Sequence, residues 1–228
     1  MTTTDEQTVL ELDRLGLRHF LDVRATVRRI LESMRRPQRC AFATAVAERQ
    51  LREYERAPAR ERRPYLPTWR PVVDAVWRGL AGDAIAPREV AAAVARFYVS
   101  PDYYARRHDD PADADDHTIM ASFYAAECYL HGCLDFAAWA GWRGFDVATV
   151  RAAADIAWPH RRPAEVSPYA WELAHPAVQA ELDQQLLDLE LLSLDGVLLG
   201  ADQPAELDRR LLLLDRLRTS RTGHLQTR

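Results

Sequence analysis

Ten residues, AECYLHGCLD at positions 126–135, concentrate reactive side-chain types: two cysteines, one histidine and two carboxylates. On a continuous helix at 100° per residue, Glu127, His131 and Asp135 fall at i, i+4 and i+8 along one strip. A carboxylate and an imidazole one turn apart can share a metal ion, as facing pairs do in helical di-metal proteins. The ion would then act as a Lewis acid or activate water. Such a site needs matching ligands from other helices, and the sequence contains no HExxH. Cys128 and Cys133 are five apart, point to different faces and make no chelating pair. The plainer reading is an ion-pair strip, with His131 flanked by a carboxylate one turn to either side. We adopt it, so no metal and no cofactor is expected. Glu127, His131 and Asp135 stand as the metal candidates should one bind.

Two other charged stretches invite chemistry. HDDPADADDH (108–117) holds five aspartates between two histidines. It lacks the central glycine and terminal glutamate of a calcium loop, so it reads as a solvated turn whose last aspartate caps the next helix. Arg28, Arg29, Arg35, Arg36 and Arg39 form a basic cluster, and 49–63 adds six more arginines. The second group is interleaved with Glu48, Glu53, Glu55 and Glu61. Glu48 with Arg52, and Arg49 with Glu53, are spaced for pairing on a solvated helix. Nucleic acid is therefore disfavoured as a partner. No dinucleotide, phosphate-loop or nucleophile-elbow motif occurs, and no cysteine lies in a CxxC.

The elements that must position these residues are helical throughout. Glycine is scarce and alanine, leucine, arginine and glutamate dominate, which favours helix over strand. Helices are expected over about 5–34, 38–56, 68–80, 87–98, 116–140, 146–157, 176–199 and 204–219. Pro37 and the prolines at 58, 64 and 67 separate the early ones. Gly79 and Gly82 end the third, and Gly141 and Gly144 stop the long helix 116–140, which is apolar nearly all round and so central. The helix 176–199 carries two apolar stripes. Val178, Leu182, Leu186 and Leu189 form one. Leu187, Leu191, Leu194 and Leu198 form the other, on roughly the opposite side. The last helix, with Leu207, Leu211, Leu214 and Leu217, can cover the second stripe as a helical hairpin. Failing that, the stripe is an interface to another chain.

The 228 residues are 48% hydrophobic and 28% charged, with a net charge of -4. That is ordinary for a globular domain, with no basic excess for nucleic acid or an anionic membrane. All 30 basic residues are arginine, which reads as the codon bias of a GC-rich bacterial genome. There is no signal-like N-terminus, no membrane-length apolar run and no disulfide framework in three cysteines. A cytoplasmic protein is expected.

Three stretches, AFATAVAERQLREYE (41–55), PVVDAVWRGL (71–80) and HPAVQAELDQQLLDLELL (175–192), occur in an order that resembles the YjaG-like bacterial family of unknown function. The matching positions are Phe42, Glu48, Arg49, Tyr54, Asp74, Trp77, Pro176, Val178, Glu181 and Gln185. The resemblance covers residues 38–193 and implies a compact all-helical fold without assigning a reaction. The chain departs from the family in its longer N-terminal helical segment, in the 108–117 loop, and in the acid placement on its central helix.

The expectation is thus one all-α domain over 1–228: an N-terminal helical extension (1–36), a family-like core (38–193) and a C-terminal helix (204–219). A helix near residue 127 lies at its centre. The function expected is non-enzymatic protein binding, in its most concrete form toxin neutralisation by an immunity protein. A metal-dependent enzyme built on Glu127, His131 and Asp135 is one alternative, and a self-associating helical protein is the other. The partner is a protein, a toxin or a second copy, and not a membrane.

Overall fold

A computed structural model describes residues 20–56, 58, 68–101, 113–155, 173–195, 199 and 204–220. Eight helices run through them: α1 Phe20–Glu32, α2 Arg36–Arg56, α3 Arg70–Ala81, α4 Ala86–Tyr98, α5 Ala114–His131, α6 Leu134–Asp155, α7 Pro176–Asp195 and α8 Pro204–Thr219. No strand occurs among the described residues, and no helix there is long and apolar enough to cross a membrane. The fold is an all-α single domain. The expected features at 1–19, 59–67, 108–112, 156–172, 198 and beyond 220 lie outside the described residues.

Local chemistry sets the helix ends. Pro37 does not separate two helices but sits in the first turn of α2, where its missing N–H costs nothing. Gln38 reaches back to accept from the Arg35 backbone N–H at 2.7 Å, one half of a capping box. Asp113, not the last aspartate of its run, caps α5 by accepting from the backbone N–H groups of Asp115 and Asp116. Gly82 closes α3 in the left-handed conformation at φ 107°, while Gly79 lies within that helix.

The long helix expected over 116–140 is two helices. Gly132 adopts φ 68°, its N–H bonds back to the Cys128 carbonyl, and α5 ends there. Arg36 donates to the freed carbonyls of Tyr129 and Leu130, each at 2.8 Å. Gly141 and Gly144, expected as stops, lie inside α6. Their role is steric. A Cβ on Gly141 would stand 3.2 Å from both Phe42 and Gln185, and one on Gly144 would stand 2.5 Å from Val46 Cγ1 and 3.0 Å from Glu181. The bare backbone lets α6 pass close to α2 and α7 together.

The most enclosed element is α2, buried without interruption from Cys40 to Leu51, so the centre of the domain is α2 with α5 beside it. Around them close α3, α4, α6, α7 and α8. Trp69, Phe97 and Phe123 pack mutually, with ring centroids 5.0–6.2 Å apart, where α3, α4 and α5 meet. A smaller cluster joins Val23, Phe145, Ala148, Val178 and Leu182 between α1, α6 and α7. The expected α7–α8 hairpin does not form. α8 lies on α2 and α3 and buries Leu213, Leu214 and Leu217.

The glycine pair gives a test. Glycine to alanine inside a helix ordinarily gains about 1 kcal/mol of propensity, whereas overpacking a core costs about 1–3 kcal/mol. Val46 is β-branched and stiff, so the clash wins. Gly144→Ala should lower the urea midpoint at unchanged m-value, and adding Val46→Ala, which removes the clashing methyl, should recover part of the loss.

Candidate functional site

The 127–135 strip is divided by the break at Gly132. Glu127, on α5, is buried, accepts from the Tyr98 hydroxyl of α4 at 2.5 Å and lies 3.0 Å from His131 Nε2. His131 itself is 61% exposed. Asp135 starts α6 and pairs with Arg28 of α1. The strip thus splits into two separate groups: Glu127 ties α5 to α4 through the Tyr98 phenol, and Asp135 ties α6 to α1. Among the described residues no three His, Cys, Asp or Glu side chains are grouped to hold a metal ion. Cys128 instead faces Cys40 across α2 and α5, with sulfurs 3.7 Å apart, and the Cys40 thiol donates to the Cys128 carbonyl at 3.1 Å.

The stretches carrying the family resemblance converge. The Arg49 side chain is 1% exposed and pairs with Glu181 at 3.1 Å and with Asp188 on the next turns of α7. Gln50 donates to Glu181 at 3.2 Å, Gln185 donates to Glu181 at 2.9 Å and to the Gly141 carbonyl at 3.0 Å, and Gln184 donates to Asp188 at 3.0 Å. One turn of α2 is thereby tied to α7 and α6. Glu48, also buried, receives the Trp77 indole N–H at 3.1 Å, Arg70 at 2.8 Å and Arg52 at 2.9 Å. Arg70 continues to Glu55, and Asp74 pairs with Arg218 of α8 at 2.5 Å. Phe42 and Tyr54 are core residues, and Pro176 is the exposed first residue of α7.

Glu48, Arg49, Arg52 and Glu53 were expected on a solvated, pairing face, and the burial of Glu48 and Arg49 corrects that. Of the two pairs read from spacing, Glu48–Arg52 forms. Arg49 turns inward, and Glu53 pairs with Arg56 instead. Three of the five arginines in the basic cluster are engaged: Arg28 pairs with Asp135, Arg36 covers the end of α5, and Arg39 donates to the Leu31 and Glu32 carbonyls that end α1, at 2.9 and 3.0 Å.

The electrostatics of the Arg49 site are lopsided. Burial works against the guanidinium, but Glu181 and Asp188 outweigh it, so its pKa is raised and it stays charged. Two acids share this one cation. Burial pushes the Asp188 carboxyl above its usual range, and Glu181 adds to that push against the pull of Arg49 and Gln184. Asp188 escaped the sequence reading, although its signal was present. Glu181, Gln185 and Asp188 fall at i, i+4 and i+7, so they share a face with the apolar stripe of Val178, Leu182 and Leu189.

This network acts as a structural lock, since its buried groups bond to one another and tie α2 to α7 and α7 to α6. The outer surface differs. On α7, Leu187 is 56% and Leu194 74% exposed, and on α8 Leu207, Leu211 and Leu212 are exposed. Asp183 and Glu190 alternate with Leu187 and Leu194 along one face, and α7 carries no basic residue.

Removing one partner of a buried pair leaves its counter-charges uncompensated and costs about 3–5 kcal/mol. Arg49→Leu should lose stability on that scale, measured by chemical denaturation. The acid on α7 gives a pH test. A carboxyl whose folded pKa exceeds its unfolded value of about 3.9 holds its proton longer in the folded protein. Its contribution is therefore greatest at low pH and declines as pH rises from about 4 through the raised folded value. The stability of the wild type relative to Asp188→Asn should fall across that window, and a difference that grows with pH would contradict the assignment.

No protein-family model matches the chain, no curated protein matches it, and no solved structure matches it.

Proposed function

We propose that the protein, built on a YjaG-like helical core, works by binding another protein through its α7 and α8 leucine faces. The observation that carries this reading is the outward stripe of α7. Soluble monomers seldom leave such an apolar row uncovered, and the alternation of Leu187 and Leu194 with Asp183 and Glu190 suits a basic amphipathic helix. In its most concrete form the partner is a bacterial toxin with a basic surface, and this chain is its cytoplasmic immunity protein. Charged groups of the interior engaged in mutual pairs support binding over turnover.

Co-expression with the product of the adjoining gene should yield a complex and relieve that product's toxicity. Leu187→Glu with Leu194→Glu should weaken the complex at least about 100-fold, since two central apolar anchors of an interface each contribute on the order of 2 kcal/mol. Helical content and Tm should hold, because both side chains already face outward. A neighbour that neither binds nor is relieved would end this version.

A second reading is self-association. The exposed α8 row of Leu207, Leu211 and Leu212 would then cover the α7 stripe of a second copy. Light scattering at micromolar concentration should then give twice the chain mass, reduced to one by Leu194→Asp. Leu191 is the poorer target for that change, since it packs partly against the core.

A further inference from the structure

We propose that Cys40 of α2 and Cys128 of α5 are an oxidation site, joined by a reversible disulfide when the protein meets a peroxide. The site lies on the seam between the two central helices and does not rest on the protein-binding reading.

The first observation is contact. The two residues are 88 positions apart in the chain, yet their sulfurs stand 3.7 Å apart. A disulfide needs about 2.05 Å, so closure requires an approach of about 1.7 Å. Rotation about one Cα–Cβ bond moves a sulfur on that scale. The second is the arrangement of protons. The Cys128 thiol donates to the Cys40 sulfur, and the Cys40 thiol donates to the Cys128 carbonyl at 3.1 Å. The bond from Cys128, with the guanidiniums of Arg36 and Arg39 adding to it, draws the Cys40 thiol below its ordinary range against the effect of burial. The bond to Cys40, and then burial, push the Cys128 thiol up. Cys40 is thus the nucleophile of the pair, and Cys128 the partner that still holds a proton.

Both thiols are buried, and isolated buried cysteines are ordinarily inert. The end of α5 supplies the way in. Cys128 belongs to its last turn, whose freed carbonyls at Tyr129 and Leu130 are held by exposed bonds from Arg36. Cys133, just past the Gly132 turn, is already partly exposed. A helix end held in this way opens locally at far less cost than the whole domain. Once Cys40 is oxidised and the turn recloses, its resolving thiol is in contact with it.

The chemistry balances with hydrogen peroxide as oxidant. The Cys40 thiolate attacks one peroxide oxygen; the S–O bond forms, the O–O bond breaks, and hydroxide leaves and takes up the Cys40 proton. The Cys128 sulfur then attacks the Cys40 sulfur. The S–S bond forms, the S–O bond breaks, and the hydroxyl leaves as water with the Cys128 proton. Two thiols lose two electrons, and one peroxide becomes two waters.

The reduced full-length protein, treated with hydrogen peroxide, tests this. Thiol titration should fall from three free cysteines to one, and dithiothreitol should restore all three. After alkylation, digestion with trypsin and chymotrypsin should give the Cys40 peptide linked to the Cys128 peptide, with Cys133 alkylated. Cleavage after Tyr129 separates the last two. Cys128→Ala should stop at a Cys40 sulfenic acid that dimedone traps, and Cys133→Ser should crosslink at the wild-type rate. Urea below the unfolding transition should barely change the rate, since local opening exposes little surface. Four outcomes would overturn the proposal: three thiols retained under conditions that oxidise the urea-unfolded chain, a crosslink through Cys133 or between two chains, no dimedone adduct in folded Cys128→Ala, or a rate that follows global stability in urea.

Discussion

One buried cation holds the domain together. Arg49 projects from the middle of the most enclosed helix and has two acids of α7 as its counter-ions. A guanidinium cannot shed its charge, so α7 must lie within hydrogen-bond reach of α2 wherever Arg49 is buried. That distance in turn restricts what can run beside the pair. α6 does so because Gly141 and Gly144 offer bare backbone at the crossing, and Gln185 ties α7 to α6 through the Gly141 carbonyl while also donating to Glu181, the acid that meets Arg49 of α2. The pair is worth little as a net gain, because desolvation offsets attraction. Its force is as a constraint, since any packing that separates the partners leaves a charge buried alone.

The tripeptide Glu48–Arg49–Gln50 shows how a single turn can address several neighbours. Successive residues are 100° apart, so three polar side chains in a row sweep some 200° of the helix surface. A helix with only one covered face would leave part of that sweep in water. Here Glu48 meets α3 through Trp77 and Arg70, while Arg49 and Gln50 meet α7. Polar groups in all these directions require neighbours in all of them, which is why α2 sits at the centre. The chain continues outward from Asp74 to Arg218, attaching α8 to α3 and so directing it away from α7.

Sequence patterning revealed the helical class and most helix positions, because scarce glycine, early prolines and leucine spacing are local signals. It misled where a residue has two uses. Gly132 and Gly141 look alike in sequence, yet one ends a helix by adopting a left-handed conformation and the other permits a close crossing inside one. Only the neighbours, Arg36 in one case and Phe42 and Gln185 in the other, distinguish them. Arg49 and Glu53 have pairing spacing, and nothing within α2 says that a stronger acid pair waits on α7, 132 residues away. The resemblance-bearing positions proved to be in contact, since Glu48, Arg49, Trp77, Glu181 and Gln185 meet in two linked networks. Spacing places Glu181 and Gln185 beside the apolar stripe of α7, but it could not reveal that Glu48 and Arg49 turn inward to meet other helices. The Glu127–His131 pair was legible because it lies within one helix. Asp135 was misjoined to it because the intervening turn breaks the wheel.

The Arg49 and Asp146 clusters differ in depth. Arg49, Glu181 and Asp188 are packed to 1–2% side-chain exposure, and Gln50, Gln184 and Gln185 supply further donors, so the cluster is closed by its own groups. Arg24, Arg143 and Asp146 are 13–27% exposed and join α1 to α6 within reach of water. Separating the Arg49 partners would strand charge in the interior, whereas separating Arg24 from Asp146 would leave both groups partly hydrated. The buried cluster therefore fixes how α2 and α7 pack, while the outer one adds a weaker tie between α1 and α6.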